Sequence, residues 1–284
     1  MIFGKIHHIN REYRLLSIII NKRLAYFHIT HKMMKDFKSY FYQLPYVQFQ
    51  PEKNYMIING VRAREVACFH KIMIPSVYQY KTFYDINHIR KAVKQLLDKP
   101  TYKLFLDLEF TMPSSIKPKA SEIVQYGMIL EDDKGQVILE SSALVNPLYS
   151  KALNNKTLKF LSREAKDFNQ AVSYIAFYQL LEQIIRDYDA KIVAWGRNDI
   201  LALERSFKTN HLRSLDIRNR YMNLMQIIKN YYSFRQEKGL FPMYQELTNK
   251  EAKVQIHDAL EDAKIAREIY YLFKEKMIQD LGDI

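Results

Sequence analysis

Cysteine is almost missing from this chain of 284 residues. Cys68 stands alone, so no internal disulfide can form and a reducing compartment is expected. The thiol itself reads as a small buried hydrophobe. Seven glycines and eight prolines are too few for a long flexible linker, and no segment repeats or falls to low complexity. Long apolar runs are also lacking. Stretches such as LLSIII (residues 15–20) fall far short of the roughly 20 residues that cross a bilayer. The opening MIFGKIHHINREYR has no apolar stretch of signal-peptide length, so the expected location is cytoplasmic.

Acidic residues are scarce in the first third. Residues 1–100 carry 17 Lys/Arg against 6 Asp/Glu, whereas the remainder carries 26 against 25. Nearly all of the net charge of +12 therefore lies at the N-terminal end. That imbalance fits a polyanionic partner. A membrane surface fits less well, because the lysines are interleaved with strand-like runs and not arrayed along an amphipathic helix. What the chain does have is apolar and aromatic bulk. It is 48% hydrophobic with 21 Tyr and 16 Phe, enough core for one large or two modest domains.

Residues 1–72 alternate short strand-like runs (GKIHHI, LLSIII, LAYFHIT, YVQFQPE, VRAREVACF) with polar turns at NKR, PEKN and Asn59-Gly60. Asn-Gly between β-rich runs is a hairpin signal, and five short strands predict a small barrel such as an OB-fold. Residues 73–100 read as a connector ending in a helix with an apolar stripe of Ile86, Ile89, Val93, Leu96 and Leu97. From residue 101 strands and helices alternate. Strands are expected at 102–108, 123–130, 136–145, 191–195 and 213–217, and helices at 170–188, 198–208, 219–233 and 258–276. That order predicts a mixed α/β domain.

The run FLDLEFTMP sets Asp107 and Glu109 two apart, hence on one face of a strand, with Leu106, Leu108 and Phe110 on the other. Two buried like charges are costly unless something lies between them. Asp199 follows a later strand in KIVAWGRND, and QIHDALED opens the last helix. His257 and Asp262 are five positions apart, which on one helix would splay them by about 140°. His257 is therefore expected on the preceding loop and Asp262 inside the helix. The stripe Ala259, Ala263, Ala266 and Tyr270 lets that helix lie close to a sheet. Taken singly, Asp258 and Glu261 read as helix-capping acids.

D-x-E on one strand, a later Asp and a final H-x4-D resemble the DEDDh family of 3′–5′ exonucleases. The resemblance covers residues 101 to about 276, with FLDLEFTMP and AWGRND closest to the KapD-like branch. It implies an RNase H-like mixed sheet flanked by helices. It also implies two divalent ions, Mg²⁺ or Mn²⁺, held by Asp107, Glu109, Asp199 and Asp262. His257 would be the general base, with Glu109 counted beside it in catalysis, and Phe110 and Thr111 would contact nucleic acid. The N-terminal segment resembles a cold-shock domain: AYFHI keeps Tyr26 and His28, candidates for base contact. Leu15 and Ser17 stand where that family has phenylalanines, and His8 where it has tryptophan. Such stacking is worth about 1–3 kcal/mol per base, so their loss weakens single-strand affinity. The alternative is a barrel used for packing or dimerisation, with Tyr26 in a core.

The expected organisation is thus a cold-shock-like OB domain at 1–72, a linker with a helix at 73–100, and an exonuclease domain at 101–284. The expected partner is single-stranded RNA, with single-stranded DNA as the alternative substrate. A nucleic-acid-binding regulator on an inactive nuclease fold is the alternative class. Oligomeric state is left open.

Overall fold

The computed structural model describes residues 1–75, 81–112, 121–249 and 257–282. The chain divides into two compact units. One is Met1–Gln95 with Lys229–Gln236, and the other comprises the described residues of Leu96–Ile228 and Glu237–Ile284.

The first unit contains β1 (Ile2–Asn10), β2 (Leu15–Ile20), β3 (Arg23–His28), helix α1 (His31–Phe37), β4 (Tyr46–Ile58) and β5 (Val61–Ile74). Strand β1 lies antiparallel between β2 and β4, while β2–β3 and β4–β5 are antiparallel pairs. A parallel pairing of β3 with β5, Tyr26 opposite Ala63 and His28 opposite Glu65, closes the barrel. This is the five-stranded Greek-key barrel of an OB-fold. Its core is aromatic: Phe27 meets Phe49 edge-on at 4.9 Å between centroids, and Phe69 packs on Phe49 at 5.9 Å. Asn59 and Gly60 take φ of 47° and 75°, the paired left-handed conformation that a tight hairpin requires. The turn expected at PEKN is instead a bulge inside β4. There the register steps from Pro51↔Val66 to Tyr55↔Arg64, and Pro51 cannot donate to the ladder.

Strand β6 (Lys81–Asp85) extends the sheet beside β5 and runs into α2 (Ile86–Asp98). Ile86, Val93 and Leu97 are buried, whereas Leu96, expected in the same stripe, is 45% exposed. The returning segment Lys229–Gln236 is fastened to β5 by Arg235. Its guanidinium donates to the carbonyls of Val66 (2.7 Å) and Ala67 (3.2 Å) and pairs with Glu65.

The second unit has β7 (Lys103–Phe110), β8 (Ile123–Glu131), β9 (Val137–Asn146), α3 (Asn155–Leu161), β10 (Val172–Ser173), α4 (Tyr174–Tyr188), β11 (Lys191–Ala194) and α5 (Asn198–Thr209). Strand β12 (Tyr221–Asn223), α6 (Leu224–Tyr232, counted with the first unit from Lys229 on), α7 (Leu240–Thr248) and α8 (Ala259–Gly282) follow. The sheet order is β10-β9-β8-β7-β11-β12. The pairs β7–β8 and β8–β9 are antiparallel, and β11 is parallel to both β7 and β12, an RNase H-like mixed sheet. Leu104, Leu106 and Leu108 face the core formed with α4 and α5. Phe105 points the other way and meets Tyr270 of α8 edge-on at 5.6 Å. Ala259, Ala263 and Ala266 are buried.

Three expectations give way here. Residues 213–217 form no strand: Leu215 and Ile217 pack on the core, but the paired strand is Tyr221–Asn223. The helix expected at 219–233 begins only at Leu224, where Asn223 Oδ1 accepts from Gln226 N–H at 3.0 Å. The helix expected at 170–188 begins at Tyr174, capped by the Ser173 hydroxyl. Among the described residues, no helix is long and apolar enough to cross a membrane.

Candidate active site

Strand alternation places Asp107 and Glu109 on the face of β7 that looks toward α8, opposite Gly127 and Gln125 of β8. Asp199 enters from the first turn of α5. Its Oδ1 accepts from the N–H of Leu108 at 3.1 Å, which holds the acid against the β7 backbone between positions 107 and 109. Asp262 arrives on the first turn of α8, and Glu109, Asp199 and Asp262 are each no more than 6% exposed. His257 precedes α8 on a loop, as its spacing from Asp262 predicts. Its Nδ1 lies 3.7 Å from Glu109 Oε1, and its ring stacks on Phe160 of α3 at 4.0 Å between centroids.

One potential ligand atom from each of Glu109, His257 and Asp262 lies within 4.8 Å of the other two. Asp107 and Asp199 join them through electrostatics. Burial, followed by the charges of Asp199, Asp262, Glu109 and Asp258, holds the Asp107 carboxyl well above the usual range. Burial and then Asp262, Asp199 and Asp258 push Glu109 up to about 8. Burial raises Asp199 to about 7 against the pull of backbone hydrogen bonds, including the one from Leu108. Burial lowers His257, so its neutral, proton-accepting form is favoured. Carboxylate oxygens with one imidazole form a donor set suited to a hard divalent ion such as Mg²⁺ or Mn²⁺. A cation among these acids would remove their mutual repulsion. The residues present therefore fit such an ion.

The surrounding supports include residues that no sequence motif marked. Asp258 is more than a cap. Oδ1 accepts from the N–H groups of Leu260 (3.1 Å) and Glu261 (3.3 Å), and Oδ2 receives Gln125 Nε2 (3.0 Å) and Arg163 Nη2 (3.2 Å). Tyr221 donates to the Gly196 carbonyl at 2.6 Å, bracing the turn that delivers Asp199. These partners come from remote segments, and spacing along the chain carries no signal for them.

The remaining candidate residues sit elsewhere. Phe110 ends β7 half-buried against the core. Thr111 is buried and exchanges bonds with Glu122: its N–H donates to the Glu122 carbonyl at 2.8 Å, and its hydroxyl accepts from Glu122 N–H at 2.9 Å. In the barrel Tyr26 is half-buried, and His28 Nδ1 lies 3.2 Å from Glu65. Leu15 and Ser17 are buried, so neither offers a stacking surface. Cys68 is half-buried, and burial raises its thiol pKa, which disfavours the nucleophilic thiolate.

Residues 104–270 match the family model described as Exonuclease (RNase T). The probable 3′–5′ exonuclease KapD of Bacillus subtilis (strain 168) is 25% identical over 175 residues, which covers 61% of this chain and 84% of the relative. Among solved structures, the nuclease domain of 3′hExo, a DEDDh family member bound to rAMP, superposes with a TM-score of 0.53. It is 17% identical over 64% of this chain and 93% of that domain. Cell-death related nuclease 4 gives 0.51 at 16% identity, over 63% of this chain and 64% of its own. At these identities the likeness to solved structures is one of fold.

Proposed function

Because the chain belongs to the RNase T exonuclease family, we propose that it is a 3′–5′ exoribonuclease that shortens single-stranded RNA one nucleotide at a time. The observation that carries this reading is the convergence of four acids from β7, α5 and α8 on one cleft, with a neutral-leaning histidine beside Glu109. Asp107, Glu109, Asp199 and Asp262 would hold two divalent ions, Mg²⁺ or Mn²⁺. When bound, such ions supply charge stabilisation for the attacking and leaving oxygens of a phosphoryl transfer. The chain's own part is orientation and proton handling. Leu108 N–H and the α5 turn keep Asp199 aimed at the cleft. His257 takes a proton from the attacking water as its oxygen bonds to phosphorus. The bond to the 3′ oxygen of the preceding nucleotide breaks and that oxygen takes up a proton from solvent, leaving a 5′-mononucleotide and a chain shortened by one residue with a new 3′ hydroxyl.

The barrel would feed the strand. The surplus of 17 basic over 6 acidic residues in positions 1–100 supports phosphate contact there, with Lys22 on the β2–β3 turn, Arg23 opening β3 and Tyr26 as a reduced base platform. RNA in preference to DNA rests on the OB-type barrel that accompanies the nuclease unit.

The test uses 5′-labelled single-stranded RNA and DNA of one sequence, each with Mg²⁺, Mn²⁺ or EDTA. The expected result is a ladder shortening from the 3′ end, faster on RNA, abolished by EDTA and by Asp107→Ala. A faster ladder on DNA would reassign the substrate. Binding of either polymer with no metal-dependent shortening would make the chain a regulator and not an enzyme.

A further inference from the structure

In the sheet, β8 presents a matching pair to the acidic pair on β7: Gln125 lies opposite Glu109 and Gly127 opposite Asp107. Residues 125 and 127 share the face on which α8 rests, because alternate side chains point the same way. At Gly127 the first turn of α8 touches the strand backbone itself. A Cβ built there would lie 2.2 Å from the carbonyl carbon and oxygen of Ala259 and 2.3 Å from the nitrogen of Leu260. Those atoms are backbone, so no rotamer change relieves the overlap. Two residues along, Gln125 Nε2 donates to Asp258 Oδ2 at 3.0 Å, and Asp258 Oδ1 caps the same turn. Gln125 is 3% exposed.

From this geometry we infer that Gln125 and Gly127 are positioning residues. Together they set the distance and rotation of the α8 start, and with it the placement of His257 and Asp262 against Asp107 and Glu109. Gly127 sets how near the helix can come, and Gln125 sets which way its first turn faces. The inference rests on the proposed nuclease site, although the ligand set it positions can be read without RNA. Any β-carbon at residue 127 pushes the helix start away by about 1 Å, and a misplacement of that size can cost about 10²-fold in rate. Outer partners of ligating residues typically carry 10–100-fold of metal affinity.

The test compares wild type, Gly127→Ala and Gln125→Leu as full chains, with three readouts. Thermal melting in EDTA reports the fold, paramagnetic resonance of free Mn²⁺ reports ion affinity, and kcat and KM on single-stranded RNA report function. Gly127→Ala should lower kcat about 10²-fold with KM little changed, and should weaken Mn²⁺ binding at least about tenfold. Gln125→Leu should move both quantities the same way by a smaller factor while melting near wild type. That variant carries the inference if Gly127→Ala fails to fold. Wild-type kcat and Mn²⁺ affinity in the folded variants would overturn it, as would losses that track only the folded fraction. Should wild type bind Mn²⁺ and the variants bind it weakly while none of the three cuts RNA, the exoribonuclease reading fails and the positioning stands.

Discussion

Removing one charge from the acidic cleft should stabilise the metal-free protein while destroying its ability to use metal. Glu109 is the residue to change, because it is 6% exposed and its pKa is pushed up to about 8 from an ordinary 4.5. Burial contributes most, followed by the charges of Asp262, Asp199 and Asp258. Its folded value lies above its unfolded one. As pH rises from 4.5 toward 8 the unfolded chain ionises first, and the metal-free fold loses stability throughout that window. At about 1.4 kcal/mol per pH unit the loss by pH 7 approaches ~3 kcal/mol. Glu109→Gln removes the ionisation but places an amide where a carboxylic acid fitted, so a net gain of about 1–3 kcal/mol is expected. For a unit of this size that raises Tm by roughly 2–12 °C. The assay is differential scanning fluorimetry of both proteins in EDTA at pH 5, 7 and 8. The gap should be largest at pH 8 and close toward pH 5. Adding Mn²⁺ should raise the wild-type Tm and leave the variant almost unmoved. A variant no more stable than wild type at pH 7 in EDTA, or a gap that does not narrow at pH 5, would refute the reasoning.

His257→Ala should lower kcat by about 10²–10⁴-fold, and retained Mn²⁺ stoichiometry in that variant would separate proton transfer from ligation. Glu131 is fully buried between Lys103 (3.1 Å) and Arg267 (2.8 Å), so Glu131→Ala leaves a buried cation behind. It should cost about 3–5 kcal/mol, a Tm fall of roughly 6–20 °C, with kcat per folded molecule intact. Replacing Lys22 and Arg23 together by Ala should flatten the log–log salt dependence of RNA binding by about 1.4, or 0.7 for each phosphate no longer neutralised. An unchanged slope would remove this turn from the RNA path.

The acids were readable in the sequence because strand and helix periodicities are short-range. D-x-E must share a strand face, and an Asp in a first helical turn must point back along the helix toward the preceding strand's end. His257 could be placed on a loop from its five-residue spacing to Asp262. Other parts of the fold answered to longer-range constraints. Residues 213–217 alternate like a strand, but Leu215 and Ile217 pack into the core and the segment pairs with no strand among the described residues. The pairing went to Tyr221–Asn223, whose neighbour β11 lies about thirty residues earlier in the chain and cannot be deduced from local pattern. PEKN carries the composition of a turn, yet the barrel absorbs it as a bulge. Gln125 and Gly127 lie in a continuous buried strand, SEIVQYGMIL, where nothing local marks Gln125 or names the partner that Gly127 admits. A glycine inside a strand signals close approach of another backbone, and only the placement of α8 says which one.

The central claim is that Asp107, Glu109, Asp199 and Asp262 form one ion-binding cleft. Titration of the metal-free chain with Mn²⁺, counting bound ions by the resonance of the free ion, tests it most directly. Two ions per chain in wild type, and loss of tight binding in both Asp107→Ala and Asp199→Ala, is the predicted result. A chain that shortens RNA while binding no Mn²⁺ or Mg²⁺, or ions that remain bound after both substitutions, would contradict it.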